Sequence, residues 1–200
     1  LIGVLAAGVS AVMALILGIC AATLGKKVDS AISFAIDTVM GIPHILLLIL
    51  ISYAMGKGVK GVIAGVALTH WTSLARLIRG EVMQLRESEY IQIAGKLGLG
   101  KWEIAKKHIV PHVLPQFIVG LVLLFPHAIL HESSITFLGF GLSTEQPAIG
   151  VILSESMRYL IMGKWWLAVL PGMMLVLTVV LFEKGGTALR QLLDPGSVHK

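Results

Sequence analysis

The sequence predicts an all-α polytopic membrane protein, a transmembrane helical bundle of five spans with one polar excursion between them. Three observations predict it. Of 200 residues, 56% are hydrophobic and 14% charged, where soluble domains carry about 25% charged residues. Mean hydropathy is +0.88. Several apolar stretches exceed the roughly 20 residues needed to cross a hydrocarbon core about 30 Å thick. A membrane barrel would show alternating segments of about ten residues instead, and the sequence has no such pattern.

The first span runs over about residues 1–24 and is closed by Gly25 and the basic pair Lys26 and Lys27. The second, about 30–55, is interrupted by Gly41-Ile42-Pro43. Proline removes a backbone donor and kinks a helix. Such a break is tolerated in a span where neighbouring helices or a water-lined path satisfy the freed carbonyls. The third span covers about 59–78, the fourth about 109–130 and the fifth about 165–182. The chain opens on Leu1 inside an apolar run, with no basic signal-peptide start, so at least one further span is expected ahead of it. The one cysteine, Cys20, lies in an apolar run; it excludes a disulfide framework and is expected to pack as a small hydrophobe.

The net charge of +5 reads as a topology signal rather than as nucleic-acid binding. Lys26, Lys27, Arg76, Arg79, Arg86, Lys96, Lys101, Lys106, Lys107, Lys184, Arg190 and Lys200 fall on one side of the drawn spans. Only Lys57, Lys60, Arg158 and Lys164 fall on the other. The positive-inside rule places the first set, and the C-terminus, in the cytoplasm.

The polar excursion, about residues 84–108, has the pattern of short helices. Ile91, Ala94, Leu97 and Leu99 recur at roughly helical spacing. Gly95, Gly98 and Gly100 are expected to break that helix and permit a turn. A second helical pattern runs from Lys101 into the fourth span, with Trp102, Ile104 and Ala105 as apolar contacts. A helix, glycine turn and helix at the inner face either lie in the lipid interface or fill a groove on a cytoplasmic partner. The bland alternative is a solvated loop carrying basic topology residues.

Ionisable groups within spans cost about 2.5–3.5 kcal/mol each on insertion scales, so each needs a reason. His70 in the third span suits an interhelical hydrogen bond. His127 and His131 are four apart, on one helix face, with Glu132 adjacent. A His/His/Glu group suits Ni²⁺ or another borderline divalent ion, with the two histidines as transient metal ligands; neutral hydrogen bonding is the alternative. His108 and His112 repeat the spacing at the inner end of the span, where interfacial solvation accounts for them. No Gly-x4-Gly-Lys-Ser/Thr loop is present to cradle nucleotide phosphates. The serines of "HESS" lack an orienting group and an oxyanion site, so no catalytic role is expected.

Glu89-Tyr90-Ile91-Gln92-Ile93-Ala94, then Gly98, then Ile109-Val110-Pro111 and Pro115 resemble the EAA loop of ATP-binding-cassette importer permeases. Gln92, Ile93, His108 and Val110 depart from its strict residues, while the Ala94–Gly98–Pro111 spacing is kept. Val28-Asp29, Asp37 with Pro43 six residues on, the run from Ala75 to Gly80, Leu85-Arg86-Glu87, Thr136-Phe137-Leu138-Gly139, Trp165-Trp166-Leu167-Ala168 and Asp194-Pro195 are similar, in order, to the second permease subunit of the dipeptide/oligopeptide/nickel family.

That resemblance implies one permease domain over 1–200, with the N-terminal tail and the first of six helices lying ahead of it. It implies that 84–108 is a coupling loop, through Glu89, Gln92, Ile93, Ala94, Gly98, Leu99 and Pro111. Asp37, His70, His127, His131 and Glu132 become expected residues of the translocation path; Glu132 resembles the family's acidic residue there, and His131 replaces its usual aliphatic one. It further implies a non-catalytic chain in a prokaryotic cell membrane that binds no cofactor, ATP and Mg being held by partner subunits. The implied partners are a homologous permease, two cytoplasmic ATPases, an extracytoplasmic solute-binding protein and membrane lipid, with no nucleic acid. The solute would be a di- or oligopeptide, nickel or a metal chelate, moved by alternating access. The rival readings are an intramembrane hydrolase built around Glu132 and an ion channel.

Overall fold

Ala7, Ala11, Ala14 and Gly18 repeat at steps of four, three and four along α1 (Ile2–Thr23), and all are buried. Small residues at such spacing let two helix backbones approach closely where lipid supplies no hydrophobic drive. In the computed structural model, which describes residues 2–193, that stripe lies against α4 (Gly58–Glu87). A Cβ added at Gly18 would stand 2.8 Å from the Ala75 carbonyl oxygen, so the glycine is what permits the contact.

α4 is the central element and is longer than the 59–78 expected. Ala75, Ile78, Val82 and Leu85 are buried, so the apolar stripe simply continues at helical spacing past Arg76 and Arg79. The span expected over 30–55 is broken where Gly41-Ile42-Pro43 interrupts it. It is two helices, α2 (Lys26–Gly41) and α3 (His44–Ala54), bent by 98°. Ile42 is extended, at φ −91° and ψ 136°, the conformation favoured before a proline because it avoids the ring.

After α4 come α5 (Glu89–Lys96), α6 (Lys101–Ile104) and a π-helical stretch, Ala105–Ile109, leading into α7 (Val110–Phe137). From Trp102 of α6 through the π-helical stretch and α7 the chain makes one apolar helix, Trp102–Phe137, so the fourth span begins earlier and ends later than 109–130. Pro111 lacks the N–H that would continue the ladder, and the widened turn just before it absorbs the mismatch, with the Val110 N–H donating to the Ala105 carbonyl.

α8 (Ile149–Leu160), not foreseen, buries Gly150, Val151 and Ser156. α9 (Trp166–Leu193) extends the fifth span beyond 182 and buries only Gly186, against Leu123 and Val122 of α7. Asp194-Pro195 and Lys200 lie outside the described residues.

Among the described residues, four helices are long and apolar enough to cross a membrane, and the bent α2–α3 pair qualifies as a fifth. Two apolar clusters fill the bundle. One, with Ala11, Trp71, Leu74, Ile78, Ile91 and Val113, lies toward the basic end. The other joins Ala7, Leu48, Val62, Val66, Ala128 and Ile135. Along α4, His70 falls at the boundary between them.

Candidate functional site

The break at Gly41-Ile42-Pro43 turns the start of α3 inward, so His44, its first residue, meets side chains from α4 and α7. A cavity of about 770 Å³ opens there, lined among others by Met40, His44, His70, Ser73, His127 and His131. Gly120 of α7 and Leu74 of α4 close its wall: a Cβ at Gly120 would come within 2.4 Å of a Leu74 methyl.

Three imidazoles meet at the cavity. His44, His70 and His131 have ring centroids 4.5–4.8 Å apart. His70 Nε2 lies 3.0 Å from His131 Nδ1. Each ring offers one ligand atom, and the three atoms lie within 4.8 Å of one another. The surrounding hydrogen bonds assign the tautomers. His70 Nδ1 is 3.1 Å from the Val66 carbonyl and 3.0 Å from Thr69 Oγ1, while the Thr69 hydroxyl donates to the Gly65 carbonyl at 2.9 Å. A carbonyl only accepts, so Nδ1 of His70 donates, and in the neutral ring Nε2 carries a lone pair. His131 Nδ1 donates in the same way to the His127 carbonyl at 2.9 Å, and His127 Nδ1 to the Leu123 carbonyl at 2.8 Å. His44 Nε2 is buried with no hydrogen-bond partner in the protein.

Of the path residues expected from sequence, His70, His127 and His131 line this cavity; Glu132 and Asp37 do not. The Glu132 carboxylate accepts from Thr136 Oγ1 at 3.0 Å and from Ser133 Oγ at 3.3 Å. Thr136 Oγ1 in turn accepts the Leu142 N–H at 3.1 Å. Glu132 therefore fastens the end of α7 to the following loop. Ser134 Oγ donates to the Leu130 carbonyl, so neither serine of "HESS" is hydrogen-bonded to a histidine. Asp37 is exposed and pairs with Arg76 at 2.6 Å. His44 was missed by sequence reasoning. Its one sequence signal was its place directly after the proline break.

A second polar region lies at the basic end. α5 is a separate amphipathic helix. Ile91 and Ala94 are buried, while Leu97 and Trp102 are 76% and 82% exposed. α5 ends in a Schellman motif, with Gly98 N–H donating to the Gly95 carbonyl and Leu99 N–H to the Ala94 carbonyl. Gly98 sits at φ +92°, which a side chain would strain. Gly95, expected to break the helix, lies inside it. Glu89 opens α5, where an acid complements the helix dipole. Gln92 Nε2 donates to the Glu87 carbonyl at 3.1 Å, and Ile93 is exposed. Pro111 stands at the π-to-α junction.

The arginines here hold partners beyond a topology role. Arg79 binds Asp29 of α2 through Nε and Nη2, at 2.5 and 2.7 Å. Arg86 donates to the Ala22 carbonyl near the end of α1.

Comparison with known proteins bears on both regions. Residues 14–197 match the family described as binding-protein-dependent transport system inner membrane component. The chain is 31% identical over 194 residues to the dipeptide transport system permease protein DppC of Bacillus subtilis, covering 97% of this chain and 61% of that one. It is 30% identical over 186 residues to the nickel transport system permease protein NikC of Escherichia coli, covering 92% and 66%. It thus spans roughly three-fifths to two-thirds of the length of these relatives. The fold is also similar to a chain of the MetNI methionine ABC transporter in inward-facing conformations, with TM-score 0.75, 17% identity and coverage of 96% and 91%.

Proposed function

The chain belongs to the binding-protein-dependent transport system inner membrane component family, and from that premise we propose that it is the permease subunit of an ATP-binding-cassette importer. It passes a small hydrophilic solute inward by alternating access. One observation carries this reading: the family match takes in both an interhelical cavity and a separately capped helix at the basic end. At about 770 Å³ the cavity is in the range of small-ligand sites, roughly 300–1,000 Å³. A di- or oligopeptide, nickel or a metal chelate all fall within that capacity, and the relatives' names cover peptides and nickel.

The basic end faces the cytoplasm. There α5, with exposed Tyr90, Ile93 and Leu97, is the surface offered to an ATPase subunit, as an amphipathic helix fits a groove. Glu89, Gln92, Ala94, Gly98, Leu99 and Pro111 shape it. The ATPase supplies hydrolysis; this chain supplies none. A homologous permease completes the path, and an extracytoplasmic binding protein delivers solute. Nucleotide drives transport only by binding one permease conformation better than the other, and that difference is the coupling.

Gly98→Pro tests the reading. Proline fixes φ near −65°, against +92° here, so the turn after α5 cannot form while the spans remain. Nucleotide-driven uptake and co-purification with the ATPase should both fall, with insertion unchanged. Normal uptake by the variant would refute the coupling role of α5.

A further inference from the structure

We propose that His44, His70 and His131 form a binding site for a borderline divalent transition-metal ion, taken up as cargo at the cavity wall. The cargo role deepens the permease reading and rests on it; the binding rests on geometry alone.

Three different helices each contribute one imidazole, and the three ligand atoms lie within 4.8 Å of one another. Histidines that serve only as interhelical glue satisfy their nitrogens with protein partners. Here His44 Nε2 is buried and has none. His70 and His131 each commit Nδ1–H to the carbonyl one turn earlier. That pattern fixes each ring and leaves its Nε2 lone pair as the ligand, which is how metal-bound imidazoles are ordinarily held; His70 Nε2 lies 3.0 Å from His131 Nδ1 and exchanges that contact for the ion. No carboxylate joins the cluster, since Glu132 is bound to Thr136 and Ser133. Three neutral nitrogens suit Co²⁺, Ni²⁺, Cu²⁺ or Zn²⁺ and not the hard ions Mg²⁺ and Ca²⁺.

The spacing says how tightly. Tetrahedral bonds of about 2.0–2.1 Å put ligand nitrogens about 3.3 Å apart. Ligand atoms separated by up to 4.8 Å must close in to grip an ion, so the site holds metal less firmly than a closed structural centre. Its open side faces the cavity, where His127, one turn before His131 on the same face, stands ready as the next ligand. Loose, successive sites are what passage requires, because a transported ion must also leave.

The test uses the intact transporter with its partner subunits in lipid nanodiscs, stripped by chelator and titrated with Co²⁺. Wild type should bind one Co²⁺ per copy of this chain, with the ligand-field absorption of a nitrogen-rich tetrahedral site. His44→Gln and His131→Asn should each weaken binding more than about tenfold and remove that absorption, with complexes still eluting intact. His44→Gln removes a ring nitrogen that has no existing hydrogen bond, and the wild-type spectrum needs no variant. Absence of Co²⁺ binding by wild type, or unchanged affinity in both variants, overturns the site. In proteoliposomes, ATP should drive Co²⁺ across the membrane; Co²⁺ retained on the protein through turnover overturns the cargo role. A complex that binds Co²⁺ but shows no nucleotide-dependent transport of any solute would keep the site and remove the permease reading.

Discussion

At the basic end, Arg79, Arg86 and Gln92 each hold a protein partner; around the cavity, His70 Nε2 meets only another imidazole and His44 Nε2 meets nothing. The first region is fastened and the second is left open. A surface that must carry a push between subunits needs rigid anchorage, which the Asp29–Arg79 fork and the cap at Gly98 provide. A surface that must hold a solute and release it needs unspent hydrogen-bonding or ligand capacity. The difference teaches that polar residues within one bundle are spent in two ways, and that only the unspent ones mark a binding site.

The widest effect should come from disturbing the fastening beyond the cavity. A Cβ at Gly150 of α8 would lie 2.6 Å from the Ser133 carbonyl oxygen and 2.9 Å from Thr136 Cβ. Gly150→Val therefore has to push α8 off α7 where Glu132 is anchored, at a cost of about 1–3 kcal/mol. Thermal unfolding in detergent should show it; an unchanged midpoint would mean that α8 is not packed as described.

Next is Asp29→Asn, which removes the charge from the α2–α4 fork. Both side chains are about a quarter exposed, so solvent screens the pair and the loss should not exceed about 1 kcal/mol. The effect should shrink in high salt, whereas that of Gly150→Val should not. A salt-independent loss would show that the fork is a packing contact.

The smallest effect should come from Gly80→Ala. A methyl there meets nothing within 4 Å, although the glycine stands in the run from Ala75 to Gly80 that carried part of the family resemblance. Stability should hold or rise by less than about 1 kcal/mol. A marked loss would reveal a neighbour, such as a partner subunit, covering that face.

The two regions differed as much in legibility. α5, its glycine turn and the helical run from Lys101 into the fourth span are local features, encoded by spacing within thirty residues, and sequence reasoning reached them. The all-α bundle followed from composition and the length of the apolar runs. The reach of α4 past Arg79 was missed because the arginines hid an apolar stripe that continues beneath them. The cavity was half legible. His127 and His131 share a helix, so their spacing gave their common face, but His44 joins His70 and His131 only because the 98° bend at Pro43 carries α3 inward. A proline break announces a bend without giving its direction. Glu132 looked like a partner of its histidine neighbours; adjacent residues on a helix point about 100° apart, and it turned to Thr136 instead.

The central claim is that the cavity opens alternately to the two sides of the membrane under nucleotide control. Ser73 lines the cavity and is exposed, so Ser73→Cys in a Cys20→Ser background places a single small thiol there. The assembled transporter in membrane vesicles is treated with an impermeant maleimide from either side, with and without trapped ATP. Labelling should come from the cytoplasmic side in one nucleotide state and from the opposite side in the other. Labelling from the same side in both states, or from both sides at once, would contradict alternating access.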